Sequence, residues 1–168
     1  AYEKSIQRNI VLKLPNEDVE NLCAKTARAG LTVSQLLENF VYDLVHSDRA
    51  NGSDERMYAN QWFDRCGFSF SFSQTFLVYL IEWGEVDTAI EMWEELEDYK
   101  DQGELDEYEK QDVAVLTEAL EKMFRDYQED NKEPADLTLE SGMEKVLKWD
   151  KERKELLRGN VMEKIMKK

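Results

Sequence analysis

Between Glu82 and Glu109 the chain carries thirteen Asp or Glu residues and a single base, Lys100. Carboxylates at that density can do three kinds of chemistry: move protons, ligate a metal, or attract a cation on another molecule. Proton transfer near neutral pH needs a carboxyl whose pKa is raised by burial or crowding, and a solvated helix face supplies neither. Metal ligation has one near fit, because Asp98, Gly103 and Glu109 have the spacing of a calcium-binding loop. Lys100 and Gln102 stand where that loop needs its third- and fifth-position acids, and a lysine there repels the ion. Attraction of a cationic partner is the chemistry that remains.

The spacing of the acids supports it. Asp87, Glu91, Glu94, Asp98 and Asp101 recur every fourth or third residue and so share one side of a helix, with Val86, Ala89, Ile90, Trp93 and Leu96 on the other. At a rise of about 1.5 Å per residue their charges fall about 5–6 Å apart. Duplex DNA carries one charge per roughly 1.7 Å, so imitating it takes acids beyond one stripe. Glu95, Glu104, Asp106, Glu107 and Glu109 are there to widen it, and with the stripe they form the expected partner-binding set.

Other chemistries lack their residues. There is no phosphate-binding P-loop, dinucleotide fingerprint, nucleophile elbow or zinc spacing. His46 is the only histidine and sits at a loop edge. Cys23 and Cys66 lie in apolar settings without CxxC spacing and read as reduced core thiols. The expectation is a protein that is not an enzyme and needs no metal or cofactor. No apolar run reaches membrane-span length and no signal peptide opens the sequence, which predicts a soluble, cytoplasmic protein.

The elements that must carry these acids are mostly helical. Seven Gly and two Pro in 168 residues, with 42% apolar and 35% charged residues, predict a folded, highly solvated, mainly α chain. The net charge of −15 is uneven: −1 over residues 1–50, −18 over 51–142 and +4 over 143–168. Three segments follow: residues 1–46, an acidic helical body 47–134, and a linker with a basic helix, 135–168.

In the first segment Ile6, Ile10, Leu12 and Leu14 alternate with Gln7, Asn9, Val11 and Lys13, the period of a half-buried strand ended by Pro15. Asn16 is placed to cap a helix with Val19, Leu22, Cys23 and Ala27 inward and Gly30 as its stop. Thr32 and Gln35 form a capping box for a second helix with a broad apolar stripe from Leu36 to Val45. In the body, Asp54 starts a helix with Met57, Tyr58, Trp62 and Cys66 inward. Phe68 to Phe72 fits strand or helix, and a helix is expected from about Ser73 to Gly84. Helices at about 86–101 and 105–129 carry the acids, and a basic helix follows Met143 until Gly159-Asn160.

Strand, Pro15, helix, Gly30, Thr32-Val33-Ser34 and second helix together resemble the ribbon-helix-helix family over a quarter of the chain. The resemblance implies a short N-terminal strand ahead of a helical bundle, a homodimer paired through that strand, and DNA contacts. Asn9 and Lys13 would face the groove and Thr32 and Ser34 a phosphate, joined at the other end by Lys148, Lys151, Arg153 and Lys154. Val11 cannot hydrogen-bond a base edge and only Lys13 is basic on that face, so a dimerisation or packing unit is the other reading. The chain also resembles anti-CRISPR inhibitors among the small accessory proteins of bacterial mobile elements, through Lys4 to Asn9, the Pro15 and Gly30 motifs, and Thr75-Phe76-Leu77 leading to Glu82-Trp83-Gly84. That resemblance implies an acidic inhibitor seated on the positively charged nucleic-acid channel of an RNA-guided DNA nuclease. The alternative is a dimeric DNA-binding regulator of the same element.

Overall fold

The computed structural model describes residues 4–46, 54–68 and 74–160. Seven helices form among them: α1 (Asn16–Arg28), α2 (Val33–Val45), α3 (Asp54–Arg65), α4 (Phe76–Glu82), α5 (Val86–Asp101), α6 (Glu107–Asp130) and α7 (Leu139–Arg158). The protein is mainly α. The expected loop at Asn51-Gly52 and the strand-or-helix choice at Phe70 and Phe72 lie outside the described residues.

The expected N-terminal strand does not form. Residues 4–15 have no strand ladder, and Ile10, Leu12 and Leu14, the expected inner side, are exposed. Alternation specifies an extended backbone, but a strand also needs a neighbour to bond. Residues 7 and 8 spend their polar groups elsewhere. The Arg8 guanidinium donates to the carbonyls of Leu156 and Leu157, and the Gln7 carbonyl accepts from Asn160 N at 3.0 Å. These contacts hold the open C-terminal end of α7, where orphan carbonyls and the helix dipole favour a cation. At the turn, Gly159 has φ 64, and a Cβ there would come within 2.6 Å of the Gln7 carbonyl. Without the strand, the ribbon-helix-helix resemblance loses its defining element.

The chain divides into two compact units, Val11–Ser71 and Ala1–Ile10 with Phe72–Lys168. In the first, the local signals hold: Gly30 has φ 72 after α1, and Thr32 and Gln35 close a reciprocal capping box on α2. The predicted cap at Asn16 moves to Pro15, whose fixed φ of −69 delivers the chain into the helix without a side-chain bond. Packing departs further from expectation. Cys23, Ala27, Trp62 and Cys66 are exposed, so the thiols are free but not core, and among the described residues of this unit the buried side chains are Thr26 and Ala59.

The second unit has a core of eleven buried apolar side chains drawn from α4, α5, α6 and α7. Phe76 packs edge-on to Phe124 at 5.3 Å and against Tyr127 at 5.5 Å. α7 lies so close to α4 that a Cβ on Gly142 would fall 2.9 Å from the Phe76 side chain. Fully buried Asp136 ties three elements together. It accepts from Phe76 N (2.9 Å), Ser141 Oγ (3.2 Å) and Lys145 Nζ (2.6 Å), while Tyr127 Oη accepts from Asp136 N (3.1 Å). Burial pushes the Asp136 carboxyl up, but the Lys145 and Phe76 bonds outweigh it and hold it below the ordinary value.

Candidate partner-binding face

The acids sit on α5, α6 and the short connection between them, and the scaffold that orients them is the α5–α6–α7 packing. Val86, Ala89 and Ile90 are buried, which turns the opposite side of α5, with Asp87, Glu91, Glu94, Asp98 and Asp101, to solvent. Asp106 caps α6, its Oδ1 accepting from Glu109 N at 2.8 Å. That backbone bond holds the Asp106 carboxyl below its usual value, as expected for an acid at a positive helix end.

The ten acids are not equivalent. Asp87 is paired with Arg153 at 2.7 Å and Glu94 with Lys154 at 3.4 Å, so α7 neutralises two of the first three acids of the α5 stripe. Both bases also reach the buried Asp150, at 2.6 and 2.8 Å. The Asp150 carboxyl is pushed up by burial, yet the two cations bring it below the ordinary range. Glu95, beside the stripe, turns to Asp112 on α6, and that hydrogen bond, then burial, raises its carboxyl. Tyr99 donates to the same Asp112 at 2.7 Å, and its hydroxyl is pushed up to about 12, chiefly by this bond. Glu109 is occupied by the α6 cap and by Gln102 (2.8 Å), and burial raises its carboxyl. Glu107 lies 3.5 Å from Lys110 but is 88% exposed.

Glu91, Asp98, Asp101 and Glu104 remain exposed and make no ion pair among the described residues. Three of them, with Asp106 and Glu107, gather at the tip where α5 turns into α6. Beside the tip is a cleft of about 500 Å³ with Trp93, Leu96, Leu105 and Val113 in its apolar lining and Glu97, Glu121 and Glu140 among its polar groups. Lys100 lies here, bonded to Glu97 at 2.8 Å with its ammonium 5.8 Å from the Trp93 ring. Among the described residues no three His, Cys, Asp or Glu side chains converge on a metal position.

The residues read for nucleic acid fall on separate elements. Asn9 and Lys13 are on the extended segment, Thr32 is spent on capping α2, and Ser34 is exposed in its first turn. Arg153 and Lys154 are committed to carboxylates, whereas Lys148 and Lys151 are exposed. Sequence reasoning missed Asp112, Asp136 and Asp150. Only Asp150 left a trace, three and four residues before Arg153 and Lys154 at helical pairing distance.

Compared with protein-family models, curated proteins and solved structures, the chain matches none of them. With no strand among the described residues and no family match, neither the ribbon-helix-helix resemblance nor the anti-CRISPR likeness built on it is upheld. Among the described residues no helix is long and apolar enough to cross a membrane.

Proposed function

We propose that this is a binding protein rather than an enzyme, an acidic inhibitor that occupies a cationic nucleic-acid-binding surface of another protein. The observation that carries the reading is the tip formed by Asp98, Asp101 and Glu104: exposed carboxylates with no ion pair among the described residues, at a helix C-terminus where the dipole opposes them. A fold that needed charge only for solubility gains nothing by concentrating acids there. The apolar cleft beside the tip adds room for the aliphatic stem of an arginine or lysine, and charge complementarity speeds its arrival. An RNA-guided DNA nuclease, whose heteroduplex channel is positively charged, is the target class to try first, which would make the function anti-CRISPR.

The DNA-binding regulator draws less support, because its groove reader is an extended segment and two of its four C-terminal bases are engaged. The test is inhibition of nuclease cleavage by the wild type and by a variant carrying Asp98→Lys, Asp101→Lys and Glu104→Lys. The expected result is inhibition by the first, relieved by excess duplex DNA, and none by the second, with equal circular dichroism. Undiminished inhibition by the variant rules out the tip as the contact.

A further inference from the structure

α2 contradicts its own composition. Eight of its thirteen residues are Val, Leu, Phe or Tyr, and none of them is buried. A helix with so broad an apolar stripe is expected to bury it against a neighbour. Ring contacts join α2 to α3 and to the turn after it: the Phe40 ring meets Trp62 edge-on at 5.5 Å, and Trp62 lies 6.2 Å from Phe68. Phe40, Val41, Val45, Trp62 and Phe68 are 37, 51, 63, 50 and 66% exposed. At about 150–250 Å² for a whole aromatic side chain and somewhat less for Val, these five leave roughly 500 Å² of apolar surface open. Met57 and Tyr58, also exposed, bring the patch near the ~800 Å² that each partner buries in a stable interface. That is above the roughly 300–600 Å² largest patch of an ordinary monomer.

We propose that the α2–α3 face is a self-association surface whose occupant is the same face of a second copy of this chain. Two features favour a second copy over a foreign protein. First, charge permits it: residues 11–71 hold six bases against nine acids, whereas the rest of the chain holds sixteen against 28. The chain can therefore meet itself through this unit with little repulsion, and through the other unit only at high electrostatic cost. Second, an isologous contact needs a patch that is complementary to itself, and an apolar stripe broken only by Glu38 and Asp43 among its charges meets that need. The contact is made by helices and does not call on strand pairing by the N-terminal segment.

The experiment is sedimentation equilibrium of the full chain at micromolar concentration, in low and in high salt. A species of twice the monomer mass that persists in high salt is expected, since apolar burial is not screened. Val41→Glu with Val45→Glu should give a monomer of unchanged helicity, both positions being more than half exposed in the single chain. Val115→Glu, 65% exposed on α6, should stay dimeric. Should the double variant lose helicity, Val45→Glu alone, in the last turn, carries the same test. A wild-type monomer would mean that something else covers the face, and would overturn the proposal. So would a dimer untouched by the α2 variants, or one that high salt dissolves.

Discussion

One unit of this protein buries eleven apolar side chains around Phe76 and Tyr127 and wears its charge outside, while the described residues of the other bury only Ala59 and Thr26. Both are helical, and both have well-formed caps. The difference is where the apolar residues go. In the C-terminal unit four helices surround one centre, so each amphipathic face has a neighbour. In the unit of residues 11–71, α1, α2 and α3 leave Phe40, Val41 and Trp62 facing outward. Helix formation and core formation are thus separable achievements, and a sequence can satisfy the first without the second.

The sharpest way to break this comparison is to truncate an aromatic in each unit. Phe76→Ala removes a fully buried ring in contact with Phe124 and Tyr127 and should cost about 3–5 kcal/mol in denaturant unfolding. Phe40→Ala, at a position 37% exposed in the single chain, should cost less, about 1–2 kcal/mol, in a monomeric background such as Val45→Glu. Equal costs would mean that the two units are built alike after all.

A step down in size is the Asp136 network. Asp136→Ala strands the buried Phe76 N–H and removes the partner of the half-exposed Lys145, and should cost about 2–3 kcal/mol by chemical denaturation, with no counterpart among the described residues of the other unit. The same group sets the acid limit. The Asp136 and Asp150 carboxyls lie below their ordinary value in the folded state, so their contribution is present above about pH 4 and disappears as pH falls through the depressed folded values. Glu95 and Glu109 lie above theirs and act in the opposite sense, since protonating them on mild acidification favours the folded state. Stability should therefore hold between pH 7 and about pH 5 and drop below about pH 4. Asp136→Ala should flatten that drop in a thermal melt series, and an unchanged series would assign it to other groups.

What the sequence could and could not reveal follows from the range of each interaction. Thr32 with Gln35, the stops at Gly30 and Gly84, and the span of α5 from Val86 to Asp101 are all written within one or two turns, and the structure has them where the sequence places them. The N-terminal strand failed because alternation reports backbone shape but not a partner. Arg8 finds its acceptor at Leu156, 148 residues away, and no local pattern announces that. At the site, the helical side of the acids was legible from spacing alone. Their division into paired and unpaired groups was not, because Arg153 and Lys154 reach Asp87 and Glu94 across 60 or more residues.

The smallest effect probes the tip itself. Asp98 and Asp101 occupy the last turn of α5, where the helix dipole disfavours a negative charge. Replacing both by Asn should therefore stabilise the fold slightly, by roughly 1–3 °C in melting temperature at low ionic strength and less in high salt. The variant should meanwhile bind a cationic partner more weakly. A gain in stability joined to a loss of binding is the signature of residues kept for contact at a cost to the fold. A lower melting temperature would instead mean that the two carboxylates hold a bond within the chain, and the tip would then resemble the Asp87 and Glu94 end of the same helix, where charge is spent on packing α7.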